Sequence, residues 1–197
     1  MTASRVLVIQ GHPDPAGQHF CHALAERYRE GALTASREVR TLDVAHLDFP
    51  LLRSKREWES APVPETLVQA QEALTWADHL VLFFPLWLGD MPALLKGFLE
   101  QVARPGFAVT PTTKGSAGKK KMLSGRSARI VVTMGMPAAL YYWYFGAHSI
   151  KSLERNILGF IGIAPVRRTM FGLVEGSSDA RRSRWLATMQ DLGVAGT

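Results

Sequence analysis

The stretch that decides the fold is His79-Leu-Val-Leu-Phe-Phe84, which runs straight into Pro85. It is apolar at successive positions, so it offers an apolar side chain to both faces of a strand. A strand of that kind belongs in the middle of a sheet covered by helices on both sides. Working outward, Arg5-Val-Leu-Val-Ile-Gln10 is a second short apolar run, ending in Gly11-His-Pro13. Ala128-Arg-Ile-Val-Val-Thr-Met134 is a third, again running into a glycine. Each reads as a buried strand ending in a turn.

Helical patterns lie between these runs. Residues 18–30 place Phe20, Leu24 and Tyr28 on one face, with Ala23 beside them. Pro64 opens a helix over 64–77. Pro92 sits in the first turn of the next helix, where its missing N–H costs little, and Leu95, Phe98, Leu99 and Val102 form its apolar face. A fourth helix spans 146–160, with Ile150, Leu153, Ile157 and Leu158 inward. A last one spans Asp179–Leu192, with Gly193 after its end. Val39, Thr41 and Asp43 mark a further strand, and Val166–Val174 a fifth. Residues 47–63, with Pro50, Pro62 and several charges, read as an irregular surface segment. Five strand–helix alternations predict an α/β doubly wound parallel sheet with helices on both faces.

Composition sets the class. With 197 residues, 47% hydrophobic and 20% charged, the chain is expected to be one globular domain over 1–197. At this size a fold needs neither disulfide nor metal, and no metal site is expected. The single cysteine, Cys21, cannot form an internal disulfide, which fits a reducing compartment. The longest apolar run, Leu80–Leu88, is broken by Pro85 and falls far short of the ~20 residues of a membrane span. Val6–Ile9 is too short for a signal-peptide core, so a cytoplasmic location without membrane insertion is expected. The net charge is +6. Lys114, Lys119, Lys120, Lys121, Arg126 and Arg129 cluster in a glycine-rich insert at about 104–128, and Arg181, Arg182 and Arg184 form a second group. No aromatics interleave with the first cluster, which speaks against nucleic acid. A solvated loop near an anionic cofactor fits it better.

Ligands of doubly wound sheets bind beyond the carboxyl ends of the strands. Gly11-His-Pro-Asp-Pro-Ala-Gly-Gln-His-Phe-Cys21 leads into a helix N-terminus, whose free N–H groups suit a phosphate. It is neither a P-loop nor a Gly-x-Gly-x-x-Gly turn. After Phe84, the turn Pro85-Leu-Trp-Leu88 is unusually apolar, and it either walls a planar ring or plugs the core. After Thr133, Gly135 lets the backbone approach a ligand, and five aromatics run from Tyr141 to Phe145. Tyr142 and His148 could donate hydrogen bonds toward a developing anion. The same aromatic run would equally suit a dimer interface.

On these segments the whole chain resembles the flavodoxin-like quinone reductase family, which includes mammalian NAD(P)H:quinone reductases and bacterial ancillary reductases of potassium efflux. Pro85-Leu-Trp87 followed by Pro92-Ala-Leu-Leu-Lys-Gly-Phe98 is similar to the family's Pro-x-x-Trp…Pro-Ala-x-Leu-Lys-Gly-Trp. Gly11-His-Pro13 is similar to its His-Pro opening, and Tyr142…Gly146-Ala-His148 to its Tyr and His beside the flavin. The resemblance implies a flavodoxin-like five-stranded sheet of order 2-1-3-4-5 and a homodimer. It also implies a flavin, FMN with FAD as the alternative, that passes a hydride from NAD(P)H to a quinone-like acceptor in ping-pong fashion. His12, Gln18, His19, Phe20 and Cys21 would surround the flavin phosphate. Pro85, Leu86, Trp87 and Leu88 would line the ring and ribityl chain, and Thr133, Met134 and Gly135 would approach the ring's polar edge. Tyr142 and His148 would stabilise charge on the reduced flavin. His19 stands where the family often has Ser, and Met136-Pro137 replaces a second glycine. Two other readings are a flavodoxin-like electron carrier, which the +6 charge opposes, and a flavin-binding regulatory subunit of a membrane potassium-efflux transporter.

Overall fold

The computed structural model describes residues 4–108 and 121–197. The strands are β1 (Arg5–Gln10), β2 (Glu38–Asp43), β3 (His79–Pro85), β4 (Ser127–Thr133) and β5 (Val166–Phe171). The helices are α1 (Phe20–Thr34), α2 (Lys55–Ser60), α3 (Glu65–Trp76), α4 (Ala93–Val102), α5 (Ala138–Trp143), α6 (His148–Ser152), α7 (Gly159–Ile161) and α8 (Asp179–Ala195). A π-helical stretch, Leu153–Leu158, joins α6 to α7. All five strands are parallel, in the order β2-β1-β3-β4-β5. Crossovers leave β1 in opposite directions, so the order reverses between β1 and β3.

The central strands are buried on both faces, as their apolar runs dictate. Register pairs Val8 with Val81 and Phe83 with Val131, and all four enter one core with Val6. Leu7, Ile9, Leu80, Leu82, Phe84, Ile130 and Val132 enter the other. Burying one such side chain contributes about 1.5–3 kcal/mol. Helices α1 and α8 cover the first core, with Leu24, Tyr28 and Met189 fully buried. Helices α3 and α4 and the run through 148–161 cover the second; Leu95, Phe98, Leu99 and Val102 are buried there as expected. Two glycines let α1 and α8 approach closely. A Cβ on Gly193 would lie 2.1 Å from the Tyr28 carbonyl oxygen, and one on Gly31 would lie 2.1 Å from that of Gln190.

Several expectations need correction. Gly193 is inside α8, where it meets α1; Gly196, at φ 66°, ends the helix. On α1, Ala23 is exposed, and the buried small residues are Cys21, Ala25, Gly31 and Ala32. Residues 47–63 are not wholly irregular. Ser54 accepts a hydrogen bond from the Glu57 N–H at 3.1 Å and starts α2, a polar helix without a buried residue to betray it. β5 ends at Phe171 rather than Val174, because Leu173 turns the chain at φ 57°.

The described members of the basic cluster bond to groups of the fold, Lys121 donating to Gly159 O at 2.7 Å. Lys114, Lys119 and Lys120 lie outside the described residues. Arg126 donates to the Leu74 and Thr75 carbonyls, and Arg129 to Thr197 O and Thr169 Oγ1. These two residues sit at the start of β4, the end of the sheet opposite the ligand-binding edge.

Candidate functional site

A cleft of about 530 Å³ opens beyond the carboxyl ends of β1, β3, β4 and β5. That is within the usual range for small-molecule sites, at the place such sheets bind ligands. Backbone hydrogen bonds fix its rim one residue past each strand. Gly11 N–H donates to Phe83 O at 2.7 Å, Leu86 N–H to Thr133 O at 2.8 Å, and Met134 N–H to Phe171 O at 2.9 Å.

The β1–α1 loop forms one side. The Gln10 side-chain oxygen accepts the His12 N–H at 3.1 Å and the Cys21 thiol at 3.5 Å, clamping the loop to the first turn of α1. His12 Nδ1 accepts the Asp14 N–H at 3.1 Å, and Asp14 bonds the His19 ring at 2.7 Å. The His12 and His19 rings stack with centroids 3.9 Å apart. Burial, then the neighbouring His19 and His22, push His12 down to about 4, so its ring is neutral at physiological pH. Burial pushes the Cys21 thiol up to about 12, which makes it inert as a nucleophile. His19 is the N-cap of α1 but supplies no side-chain cap, so the first-turn N–H groups of Phe20 and Cys21 are available to an anion.

The β3–α4 loop forms the apolar wall. Trp87 and Asp90 exchange backbone hydrogen bonds at 2.8 and 2.9 Å around Leu88 (φ 48°) and Gly89 (φ 82°). Trp87 is 50% exposed and meets His12 edge-on at 6.0 Å, so it walls the cleft rather than plugging the core. The same tight turn throws Leu88 outward, fully exposed at its tip, and Leu88 does not line the cleft. Thr133, Met134 and Gly135 form the opposite edge.

The cleft thus gathers His12, Gln18, His19, Phe20, Cys21, Pro85, Leu86, Trp87, Thr133, Met134 and Gly135. Tyr142 and His148 are not among its lining residues. Tyr142 is exposed, with Lys151 Nζ 5.8 Å above its ring, and His148 is exposed at the start of α6. The buried tyrosine is Tyr141, whose hydroxyl meets Ser149 Oγ at 2.6 Å.

A family model described as the flavodoxin-like fold matches residues 4–192. The chain belongs to this family. Among curated relatives of this flavodoxin-like chain, an uncharacterized NAD(P)H oxidoreductase of Haemophilus influenzae is 27% identical, covering 89% of this chain and 87% of its own length. An FMN-dependent NADH:quinone oxidoreductase of Pseudomonas fluorescens is 29% identical, covering 83% and 84%. Among solved structures, Smu.1420 of Streptococcus mutans superposes with a TM-score of 0.79 at 28% identity, covering 96% of this chain and 98% of that one.

Asp14, Val174, Glu175 and Arg182 also line the cleft, although the sequence did not single them out as site residues. Val174 and Glu175 follow β5, a strand end that carries no aromatic or His-Pro signature. Val174 N–H donates to Met134 O at 3.2 Å, which brings this loop to the cleft. Arg182 donates to Val174 O at 3.2 Å and to Ser177 Oγ at 3.0 Å, holding the loop from α8. Among the described residues, no group of three or more His, Cys, Asp or Glu is placed to hold a metal. No helix among them is long and apolar enough to cross a membrane.

Proposed function

We propose that this chain is a flavin-dependent oxidoreductase that binds FMN in the cleft and passes a hydride from NAD(P)H to a quinone-like acceptor. The observation that carries the reading is one continuous cleft with an uncapped helix N-terminus at one end and a Trp-walled slot at the other. The first end suits a phosphate and the second a planar ring. The relatives named NAD(P)H oxidoreductase and FMN-dependent NADH:quinone oxidoreductase support it.

When bound, the flavin supplies the two-electron redox chemistry, while the protein supplies position and electrostatics. The N–H groups of Phe20 and Cys21, with Gln18, His19 and Arg182, would hold the phosphate. Pro85, Leu86 and Trp87 would give the ring system an apolar wall, and Thr133, Met134 and Gly135 would offer it polar backbone groups. Donor and acceptor use the same open side in turn, which makes the kinetics ping-pong.

The proposal includes a homodimer. Tyr142, Trp143, Tyr144 and Phe145 are 40–82% exposed, a run of aromatics that a second copy would cover. Tyr142 and His148 do not line their own chain's cleft. Their role in stabilising negative charge on the ring therefore requires the cleft of a second copy.

The test is direct. The visible spectrum of the purified protein and the identity of its heat-released cofactor are recorded, and NADH consumption is followed with a simple benzoquinone. FMN release and quinone-dependent NADH oxidation with parallel double-reciprocal lines are expected. A colourless protein that takes up no added FMN refutes the reading.

A further inference from the structure

We propose that His12, His19 and His22 form a proton-accepting cradle that selects a doubly charged phosphoester and takes up a proton as it binds. The proposal rests on the flavin reading above and adds how this chain recognises the phosphate end.

Three imidazoles crowd the start of α1. His12 is only 6% exposed yet lines the cleft. Its ring stacks on His19 at 3.9 Å and 15°, and His22 lies 5.2 Å from His12 and 5.8 Å from His19. Both ring nitrogens of His22 are buried without a hydrogen-bond partner. A buried polar atom left unpaired is costly, so a missing partner at this spot calls for an explanation. A second depression of about 500 Å³, lined by Gly17, Gln18, His19, Phe20 and His22, adjoins the cleft on this side.

Burial holds His12 and His22 neutral until an anion arrives. From the β1–α1 loop, Asp14 bonds His19 at 2.7 Å. From the end of β2, Asp43 favours protonation of His12 and His22, but burial and the mutual repulsion of the rings oppose it more strongly. Glu26 of α1 lines only the outer depression. Glu175 and Arg182, from the β5–α8 side, line the cleft. A phosphate dianion reverses this balance. It brings two negative charges to rings held neutral by burial, and favours the imidazolium form. A hydroxyl would bond the same phosphate without titrating, so the His12 and His22 imidazoles add a dependence on proton concentration.

The sign follows from linkage. If binding raises an imidazole pKa, the complex holds more protons than its parts, and affinity rises as pH falls. One proton taken up corresponds to about tenfold in Kd per pH unit. Above pH 7 the phosphate is already a dianion, because its second pKa is about 6, so its own titration does not mask the effect.

The experiment is calorimetric titration of the cofactor-free protein with FMN and with riboflavin, which lacks the phosphate. It is run at pH 7.0 and 8.5 (assay settings of about those values) in buffers of different ionisation enthalpy. FMN is expected to bind about six- to thirtyfold more tightly at the lower pH, with uptake of about half to one proton. Riboflavin is expected to change less than about twofold and to take up none. His22→Asn, which removes the imidazole with two buried, unpartnered ring nitrogens, should lose a large part of the uptake. Should that variant fail to fold, the comparison of FMN with riboflavin on the unaltered chain still decides. FMN binding without proton uptake, or equal uptake with riboflavin, overturns the cradle and leaves the flavin reading standing. Failure to bind either ligand overturns both.

Discussion

Replacing Gly193 by alanine tests the packing that aims α1 at the cleft. In an exposed helix interior the change would be stabilising by about 0.8–1 kcal/mol, from helix propensity alone. Here the new Cβ would stand 2.1 Å from the Tyr28 carbonyl oxygen and 2.9 Å from the Ala32 nitrogen. Ordinary contact lies near 3.5 Å, so α8 must retreat by more than about 1 Å. Backbone cannot turn aside as a side chain can, and the retreat loosens Met189, which is fully buried between the helices. Overpacking of this kind costs about 1–3 kcal/mol, and a backbone contact belongs at the upper end. Net of propensity, a loss of about 1–2 kcal/mol is expected, lowering Tm by roughly 2–8 °C for a chain of this size. Gly97→Ala is the control. Its Cβ would meet Leu51 Cδ2 at 2.6 Å, the far end of a half-exposed side chain that can swing away, and Phe49 Cε2 at an ordinary contact distance of 3.6 Å. Thermal melts followed by circular dichroism should therefore move in opposite directions, or fall for Gly193→Ala alone. A Gly193→Ala protein as stable as the parent would refute the close approach of α1 and α8.

Trp87→Ala should weaken FMN binding roughly two- to twelvefold, the worth of an aromatic contact beyond its area; a titration of flavin fluorescence showing no change would remove Trp87 from the wall. Cys21, its thiol pushed up to about 12 by burial, should resist a thiol reagent at neutral pH in the folded protein and react fully once unfolded. Labelling of the native chain at the unfolded rate would contradict its burial. His79 is 1% exposed, and burial followed by Arg129, Arg167 and Arg37 pushes it down to about 4. The unfolded chain therefore binds the extra proton first, and stability is lost as pH falls from about 6.5 toward 4, by up to about 3 kcal/mol. In urea melts across that range, His79→Gln should flatten part of the loss; an unchanged slope would place the titration elsewhere.

What the sequence revealed and what it hid follow from the range of the forces involved. The unbroken apolar runs of β1, β3 and β4 are a local pattern with a global consequence, since strands apolar on both faces need a sheet covered on both sides. The matched family bears out that architecture. Leu88 was misplaced because its exposure depends on a backbone angle, φ 48°, that leucine rarely adopts and composition does not signal. Val174 and Glu175 were hidden by reading β5 three residues too long. In a run of five aromatics, composition also gives no reason to bury Tyr141 and expose Tyr142. Helical phase decides it: α5 turns Tyr141 toward Ser149, and a six-residue helix behind a proline carries too little periodicity to be seen.

The three rim hydrogen bonds explain why so varied a set of side chains can form one site. Each strand's ladder runs one residue beyond the strand itself, from Gly11 to Phe83, from Leu86 to Thr133 and from Met134 to Phe171. The loops therefore leave the sheet from points fixed relative to one another, and the N-terminus of α1 is fixed in turn by Gln10 below and α8 behind. A site on such supports keeps its geometry without a bound ligand, so little ordering is required when one arrives. The outer turn at Leu88 is tied at its base by the Trp87–Asp90 pair and by the Tyr141 hydroxyl, which donates to Gly89 O at 3.4 Å, while the Leu88 side chain itself is fully exposed. Sequence change at that tip should accordingly alter what approaches the cleft from outside, while change at Gln10, Gly11 or Thr133 should alter whether the cleft exists.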